Sequence, residues 1–300
     1  MLKPNVVLID LSQLVLATVM HTYEEGEQLS VSMVRHLILN TIRYNALKFR
    51  KEGYTEVYIC VDNAKNGYWR RDVAEYYKRN RQKARDQSKW DWDGLFNGLH
   101  TVVEELKQNV PFYIVDVDKC EADDGIAVLT KKFSLENRNV MIISSDSDFV
   151  QLHKYPCVKQ WSPMQKKFVK SKNGSPALDL TIKLLKGDGK DNIASINVRS
   201  DFLSTKVEGE RQPPVSSKLV EKISLCSSDE EIKEILTESQ FARYVENRKL
   251  IDFDYIDKDI ENQILACVDE YKLPPKNKLY SYFVKNGLSK LLDKIGEFYG

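Results

Sequence analysis

The sequence predicts an α/β fold: a mainly parallel central sheet flanked by helices, followed by a smaller C-terminal helical domain. In the first part of the chain, short apolar runs rich in β-branched residues alternate with longer stretches of helical spacing. This alternation is typical of parallel sheets whose strands are joined by helices. After Ser175 and Pro176 the strand-like runs fade, and stretches of helical spacing dominate.

Four apolar runs are predicted as the strands of the sheet. Three of them end in an aspartate or lie within two residues of one, namely Asp10, Asp62 and Asp146. In open parallel sheets ligands bind at the carboxyl ends of the strands, so we expect these acids to converge although they are distant in sequence. The runs cover residues 6–9, 57–61, 112–115 and 140–144.

A boundary between two domains is predicted near residue 178. Asn173 and Gly174 form a turn signal just before Pro176, which is typical of a linker. Residues 1–178 are therefore predicted as the sheet-containing domain and residues 179–300 as the helical domain. Helical spacing is clearest at residues 34–42, 126–133, 218–224, 230–236 and 288–298.

The composition excludes several classes of protein. With 300 residues and 42% hydrophobic content, the chain can bury a sizeable core, which argues against a disordered or fibrous protein. The five cysteines lie far apart, which argues against a disulfide framework or a zinc site and favours a reducing cytoplasm. No apolar run approaches the roughly 18 residues that a membrane span requires. We therefore expect a soluble cytoplasmic protein.

The acidic residues near the ends of these runs predict a metal site. Hard cations such as Mg²⁺ prefer oxygen ligands, and without a cation so many like charges would repel each other. Taken singly, each acidic cluster has an ordinary interpretation as a strand-end turn, an acidic helix start or an Asx-turn. Their joint occurrence favours metal binding. The nine candidates are Asp10, Asp62, Glu121, Asp123, Asp124, Asp146, Asp148, Asp188 and Asp191.

The GDGKDN segment is a separate acidic motif. Asp188 and Asp191 are three residues apart, which places both on one face if a helix begins there. Gly187 and Gly189 allow close backbone approach. The alternative is a surface turn with a capping aspartate.

Basic and aromatic residues are interleaved between Lys65 and Lys89. This segment holds nine basic residues against three acidic ones, with tyrosines and a tryptophan between them. Single-stranded or frayed nucleic acid requires this combination, because cations bind the phosphates while bases stack on aromatic rings. The alternative is an exposed amphipathic helix whose aromatic residues face the core. The segment directly follows the strand that ends at Asp62, and this placement favours substrate contact.

Five motifs carry a resemblance that spans essentially the whole chain. They are VDNAKNGYWRRD at 61–72, EADD at 121–124, ISSDSDFVQLHKYP at 143–156, KGDGKDN at 186–192 and KLPPKNKLYSYF at 272–283. In this order they resemble the flap endonuclease family of 5′ nucleases. The resemblance implies a PIN-like 5′-nuclease domain and a C-terminal domain with a helix-turn-helix-type motif that binds duplex DNA.

One departure from the family lies directly after GDGKDN. Many relatives continue with Ile-Pro-Gly, whereas this chain reads Ile193, Ala194 and Ser195. The duplex-binding loop is therefore expected to differ in shape.

The resemblance also implies an activity. It is a Mg²⁺-dependent 5′ to 3′ exonuclease that removes RNA primers from RNA–DNA hybrids and cuts near 5′ flaps during lagging-strand synthesis. Two Mg²⁺ ions, for which Mn²⁺ can substitute, would support hydrolysis by water. Nicked and forked DNA are further implied substrates, and a single-strand DNA-binding protein is an implied partner. Binding to a sliding clamp is left open, because the first strand begins almost at the N-terminus. A monomer is expected.

The family pattern divides the nine acids between two ions. Glu121 and Asp124 would add to the acidic shell of the first ion. That ion would be surrounded by Asp10, Asp62, Asp123 and Asp146. The second ion would be served, mainly through waters, by Asp148, Asp188 and Asp191.

The family pattern also implies residues that contact the substrate. Lys78 and Arg70 would reach the scissile phosphate from an arch at about residues 65–92, and with Asp123 and Asp146 they form the implied catalytic set. The implied nucleic-acid contacts are Arg70, Arg71, Tyr77, Lys78, Arg79, Arg81, Lys83, Arg85, Gly187, Gly189 and Lys190.

Three alternatives to this interpretation remain. A magnesium phosphohydrolase for small phosphate esters would have similar strand-end aspartates, but it would not need the basic aromatic segment. A non-catalytic protein that binds branched DNA would show salt-dependent binding without metal-dependent products. A shorter RNA-cutting domain of related architecture fits less well, because the helical extension with GDGKDN suits duplex DNA.

Overall fold

The computed structural model describes residues 3–299, which contain a six-stranded sheet. Met1, Leu2 and Gly300, at the outer ends of the two predicted domains, lie outside the described residues. The strands are β1 (Asn5–Asp10), β2 (Tyr54–Cys60), β3 (Tyr113–Val115), β4 (Val140–Ile143), β5 (Val158–Ser162) and β6 (Lys167–Phe168).

The order of the strands brings the predicted acidic strand ends together. The order is β3-β2-β1-β4-β5-β6, and every neighbouring pair is parallel except β5 with β6. The predicted mainly parallel sheet is confirmed, and each of the four predicted runs forms a strand. Because β1 lies between β2 and β4, the strands that precede Asp10, Asp62 and Asp146 are direct neighbours.

Strand β5 was not predicted from the sequence. Lys159 and Gln160 interrupt its apolar pattern. Gln160 is nevertheless buried, because its side-chain amide donates hydrogen bonds to the backbone carbonyls of Ser144 at 3.0 Å and Asp146 at 2.6 Å. Hydrogen bonds to residues this far away along the chain leave no hydrophobic pattern in the sequence of the strand.

The helices occupy most of the remaining chain. They are α1 (Leu11–Thr22), α2 (Val31–Lys48), α3 (Arg70–Val73), α4 (Arg79–Asp86), α5 (Trp92–Asn109), α6 (Ala122–Leu135), α7 (Pro176–Lys186), α8 (Phe202–Thr205), α9 (Ser217–Ser224), α10 (Asp229–Ile235), α11 (Glu238–Ile251), α12 (Lys258–Asp269), α13 (Lys276–Lys285) and α14 (Ser289–Leu292). Shorter 3₁₀ helices cover Arg50–Glu52, Ser147–Lys154, Gly189–Asp191, Phe253–Tyr255 and Ile295–Phe298. Within residues 3–299, no helix combines the length and apolarity needed to cross a bilayer.

Local sequence signals explain where key helices begin. The Ser175 side chain caps α7 by accepting a hydrogen bond from the N–H of Leu178 at 3.1 Å, and Pro176 occupies the first helical turn.

The single helix predicted at 288–298 was wrong, because α14 ends at Leu292 and a separate 3₁₀ helix follows. Gly296 lies in that second segment, and glycine disfavours a continuous helix.

Two apolar cores cover the faces of the sheet, and a third lies beside them. Residues Val7 and Ile9 of β1 face the core shared with α1, α2, α5 and α13, whereas Val6 and Leu8 face the core shared with α6 and α12. The third core joins α7, α9 and α11 to the base of the basic segment. Helices α12 and α13 therefore pack against the sheet, and the boundary near residue 178 stays a prediction.

Candidate active site

Acidic side chains at the ends of β1 and β2 are tied to neighbouring elements. The carboxylate of Asp10 accepts hydrogen bonds from the N–H of Gln13 at 3.1 Å and from Oγ of Ser144 at 2.9 Å. The carboxylate of Asp62 accepts one from the N–H of Ala122 at 2.7 Å. The bond to Ser144 joins the end of β1 to the end of β4, and the bond from Ala122 joins the end of β2 to the start of α6.

Two further acids lie at the same edge of the sheet. Asp123 is in the first turn of α6, and Asp146 caps the 3₁₀ helix Ser147–Lys154 by accepting from the N–H of Asp148 at 3.0 Å. Asp10, Asp62, Asp123 and Asp146 are called the strand-end group below. The structure thus brings together the four residues implied for the first ion, and their role as ligands stays a prediction.

Positive charge does not balance the strand-end group. Burial raises the pKa of Asp10 to about 7, and the charges of Asp62 and Asp146 add to this rise. Burial also raises the pKa of Asp123 well above its usual range; Lys78 opposes this rise, while Asp10 and Asp146 reinforce it. Burial raises the pKa of Asp62 in the same way. A divalent cation would therefore stabilise the ionised form of these carboxylates.

The raised pKa values predict how the metal-free protein responds to pH. The folded-state pKa of Asp10, about 7, lies above the ordinary value of 3.8. Between these values the folded protein binds more protons than the unfolded chain, so stability falls as the pH rises. With chelator present, we expect a higher melting temperature near pH 6 than near pH 8, and Asp10→Asn should weaken this dependence. A melting temperature that rises with pH in the wild type would contradict the raised pKa of Asp10.

Asp148, Asp188 and Asp191 form a second and tighter cluster, called the loop group below. Each offers one carboxylate oxygen, and these three oxygens lie within 4.8 Å of one another. Within residues 3–299, this is the one set of three potential metal ligands that lie so close together. Lys183 forms ion pairs with Asp148 and, at 2.7 Å, with Asp188, while Arg81 pairs with Asp191 at 2.6 Å. Carboxylate oxygens are the donors that hard divalent cations prefer, so both groups of acids fit such ions.

The GDGKDN segment forms a tight turn and not the start of an α-helix. Asp188 caps the 3₁₀ helix Gly189–Asp191, and Asp188 and Ile193 exchange two backbone hydrogen bonds of 2.8 Å. Gly187 has a φ of +76°, and a Cβ there would lie 2.3 Å from the carbonyl oxygen of Ile193. The turn therefore requires glycine at position 187. The alternative of a turn with a capping aspartate was correct, and this turn places both acids in the loop group.

Glu121 and Asp124 have a different environment from the four acids of the strand-end group. They form a capping box at the start of α6, in which the N–H of Glu121 donates to Asp124 at 3.0 Å. The guanidinium of Arg70 bridges both carboxylates at 2.8 Å, and Lys78 and Tyr77 also bind Glu121. Burial opposes the ionisation of Glu121, but Lys78 and Arg70 lower its pKa overall. Both acids are therefore already neutralised by side chains.

The basic segment divides into a buried base and an exposed helix. Arg70, Tyr77 and Lys78 are only 2%, 2% and 6% exposed. Against the expectation for an arch, Arg70 faces the interior, where its Nε also donates to the carbonyl of Leu250 at 2.9 Å. Tyr77 cannot stack on a base in this position, because its ring is packed in the third core. The exposed basic residues of the segment are Lys65, Arg71, Arg79, Arg81, Lys83 and Lys89, with Arg85 half-buried.

Aromatic residues of the segment are split in the same way. Trp69 and Tyr76 are buried in apolar cores, so for these side chains the alternative of core-facing aromatics was correct. Trp92 stacks on Phe96 with ring centroids 5.8 Å apart, and Phe96 is partly exposed. The sequence thus indicated aromatic residues but not which of them stay accessible.

A large cavity lies between the basic segment and α5. Its volume is about 1720 Å³, and its lining includes Asp62, Lys78 and Phe96. The cations that line it are Lys65, Arg71, Lys78, Arg79, Arg81, Arg85, Lys89 and Lys107. Seven of these eight cations belong to the basic segment, and the rest of the lining includes the acids Asp91, Asp93, Glu104, Asp116 and Asp118. Asp62 also lines the cavity and connects it with the strand-end group.

The base of α4 is bonded directly to the GDGKDN turn. The N–H of Lys78 donates to the carbonyl of Asp191 at 3.0 Å, and the side-chain amide of Asn80 donates to the carbonyls of Gly189 at 3.1 Å and Lys190 at 3.3 Å. Gly189 and Lys190 themselves are exposed. The basic helix and the loop group thus form one connected unit.

Sequence reasoning missed Lys183, which lies near the end of α7. Burial by itself would lower the pKa of Lys183, but Asp148 and Asp188 raise it above its usual value, so the side chain is charged. A lysine in the last turn of an amphipathic helix is ordinary. No local signal could have distinguished Lys183 from Lys186, which is exposed on the same helix.

Similarity to known proteins extends over nearly the whole chain. Residues 5–174 match the family model of the 5′-3′ exonuclease N-terminal resolvase-like domain, and residues 174–298 match that of the T4 RNase H C-terminal domain. Ribonuclease H of Enterobacteria phage T4 is 56% identical over 296 residues, which cover 99% of this chain and 96% of that protein. The flap endonuclease Xni of Colwellia psychrerythraea is 31% identical over 133 residues, 43% of each protein.

Solved structures show the same fold. A phage T5 flap endonuclease in complex with DNA and metal ions superposes with a TM-score of 0.56, at 15% identity and with 98% of each chain covered. The T5 5′-exonuclease with bound zinc gives a TM-score of 0.54, at 15% identity, and covers 98% of this chain and 99% of that one. At this level of identity the likeness concerns the fold alone.

Proposed function

This chain belongs to the 5′-nuclease family that includes T4 ribonuclease H, and from that premise we propose a Mg²⁺-dependent 5′ to 3′ exonuclease that also cuts 5′ flaps. Its proposed role is to remove RNA primers and the adjacent DNA during lagging-strand replication. The observation that carries this proposal is the position of the strand-end group, which opens through Asp62 into a cavity that the cations of the basic segment also line.

The acids divide between two proposed ions. Asp10, Asp62, Asp123 and Asp146 would hold the first ion, and Asp148, Asp188 and Asp191 the second. Divalent ions held there would supply activation of water and neutralisation of charge on the scissile phosphate. Mg²⁺ fits oxygen-only donors, and Mn²⁺ would substitute for it.

Residues around the acids have proposed supporting roles. Lys78 lines the cavity together with Asp62 and binds Glu121, and we assign its ammonium to stabilising charge on a phosphate held at Asp62. Arg70 is buried against Glu121 and Asp124, and we assign it a positioning role at the start of α6. This role replaces direct contact with the phosphate, which the position of Arg70 does not favour.

Nucleic acid is proposed to bind on two surfaces. An unpaired 5′ strand would enter the cavity, where Arg79, Arg81, Lys83 and Arg85 of α4 offer charge to its phosphates. Duplex DNA would lie against the exposed GDGKDN turn, with Gly187 and Gly189 permitting close approach and Lys190 binding the backbone. A small phosphate ester would not require a cavity of about 1720 Å³ with this many cations.

Substrates and partners follow from the same proposal. RNA–DNA hybrids and nicked, forked and flap DNA are the proposed substrates, and a single-strand DNA-binding protein is the proposed replication partner. The protein would act as a monomer during phage DNA replication in the cytoplasm of the bacterial host.

A cleavage assay tests the proposed function. Purified protein is incubated with a primer–template whose 5′-labelled strand begins with a short RNA segment, with Mg²⁺ or with chelator. We expect short 5′ oligonucleotides only with Mg²⁺, and an internally labelled strand should show that degradation starts at the 5′ end. Intact strands despite tight, salt-sensitive binding would instead support the non-catalytic DNA-binding alternative.

A further inference from the structure

Lys183 occupies the position in the loop group where a divalent cation would bind. Its ammonium pairs with Asp148 and, at 2.7 Å, with Asp188, two of the three acids whose oxygens lie within 4.8 Å of one another. The third acid, Asp191, pairs with Arg81 at 2.6 Å. Side chains therefore neutralise most of the charge that would attract an ion.

The fold holds Lys183 between two separate parts of the chain. Asp148 belongs to the 3₁₀ helix that follows β4, whereas Asp188 belongs to the GDGKDN turn. Lys183 lies on α7 between them, with its side chain 22% exposed. Without any cation, the three carboxylates would repel each other and the turn would be pushed away from the sheet edge. The ammonium thus keeps the loop group assembled.

We propose that Lys183 competes with the second metal ion for the carboxylates of Asp148 and Asp188. This conclusion rests on the proposed function, because that function assigns an ion to the loop group. A divalent ion can take Asp148 and Asp188 directly only if it displaces the ammonium of Lys183, since the two cations would repel each other strongly at the same two carboxylates. Lys183 therefore keeps the second ion weakly bound in the absence of DNA. Among residues 3–299, no lysine or arginine forms a comparable ion pair with the strand-end group, which therefore binds the first ion more tightly.

Titration with Mn²⁺ in the absence of DNA tests this proposal. The electron paramagnetic resonance signal of free Mn²⁺ measures the number of bound ions and their affinities. In Lys183→Met, the affinity of the weaker site should rise at least about tenfold, because one positive charge leaves the site. The tighter site should be unchanged.

Four further variants separate charge from packing. Lys183→Arg keeps the charge and should bind Mn²⁺ like the wild type, and so should Lys186→Met, which changes an exposed lysine of the same helix. Lys183→Gln is a second neutral variant in case the methionine variant unfolds. Asp188→Asn added to Lys183→Met should cancel the gain in Mn²⁺ affinity, and this would show that the gain arises at the loop group.

The outcomes distinguish this inference from the proposed function. Two bound ions with unchanged or weaker second-site affinity in folded Lys183→Met would overturn the role of Lys183 and leave the nuclease proposal intact. Absence of Mn²⁺ binding in the wild type and in every variant would overturn both. A purely structural role for Lys183 would lower the melting temperature without raising the affinity for the ion.

Discussion

Asp123→Asn is expected to abolish cleavage, with turnover reduced at least about 10³-fold. Asp123 lies in the strand-end group, and an amide cannot supply the negative charge that a bound cation requires. DNA binding should be retained, because the exposed cations of α4, such as Arg79 and Lys83, are untouched. Product length on a gel measures cleavage of the labelled primer–template, and fluorescence anisotropy measures binding.

The same substitution is expected to stabilise the metal-free protein while it abolishes cleavage. Burial and the charges of Asp10 and Asp146 disfavour the ionised form of Asp123, so the neutral amide should raise the melting temperature in the presence of chelator. Asp259→Asn is a matched control, since Asp259 is exposed in the first turn of α12. Retained cleavage in Asp123→Asn would count against its assignment as a ligand, and joint loss of cleavage and binding would indicate a structural role.

Arg70→Met is expected to reduce the free energy of unfolding by about 3–5 kcal/mol. The guanidinium of Arg70 is buried and bridges Glu121 and Asp124 at 2.8 Å, and its Nε donates to the carbonyl of Leu250. Methionine preserves much of the volume but leaves Asp124 with no side-chain cation and Glu121 with only Lys78. Urea denaturation followed by circular dichroism measures the change.

The neighbouring arginine supplies the control for this prediction. Arg71 is exposed, so Arg71→Met should change the free energy of unfolding by less than about 0.5 kcal/mol. An equally small change for Arg70→Met would show that the buried ion pairs contribute little. In that case Arg70 would be free to act on substrate, as the family pattern implied.

Much of the fold follows from local patterns. The runs that became β1 and β4 are continuous apolar segments, which are typical of strands buried on both faces of a parallel sheet. Strand β5 shows the limit of this reasoning, because Gln160 is buried through bonds to Ser144 and Asp146 and not through its own hydrophobicity. The helix predicted at 288–298 failed for a related reason, since helical spacing did not reveal where the chain would turn.

Within the candidate site, the sequence determined which acids could meet. Asp10, Asp62 and Asp146 each follow a strand-like run, and the carboxyl ends of neighbouring parallel strands lie at one edge of a sheet. Residue type and position along the chain were therefore enough to predict an acidic cluster and the oxygen-preferring cations that suit it. The turn at GDGKDN was only the alternative interpretation of the sequence, and the structure decides for it through the left-handed φ of Gly187.

Only the tertiary structure decided how the charge of that cluster is balanced. It paired Glu121 with Arg70 and Lys78, placed Lys183 between Asp148 and Asp188, and left the strand-end group without matching cations. It also buried Tyr77, which the sequence presented as one accessible aromatic among several. The physical reason is that periodicity along the chain reports which side chains are buried, whereas ion pairing depends on distances of a few ångströms between residues far apart in sequence.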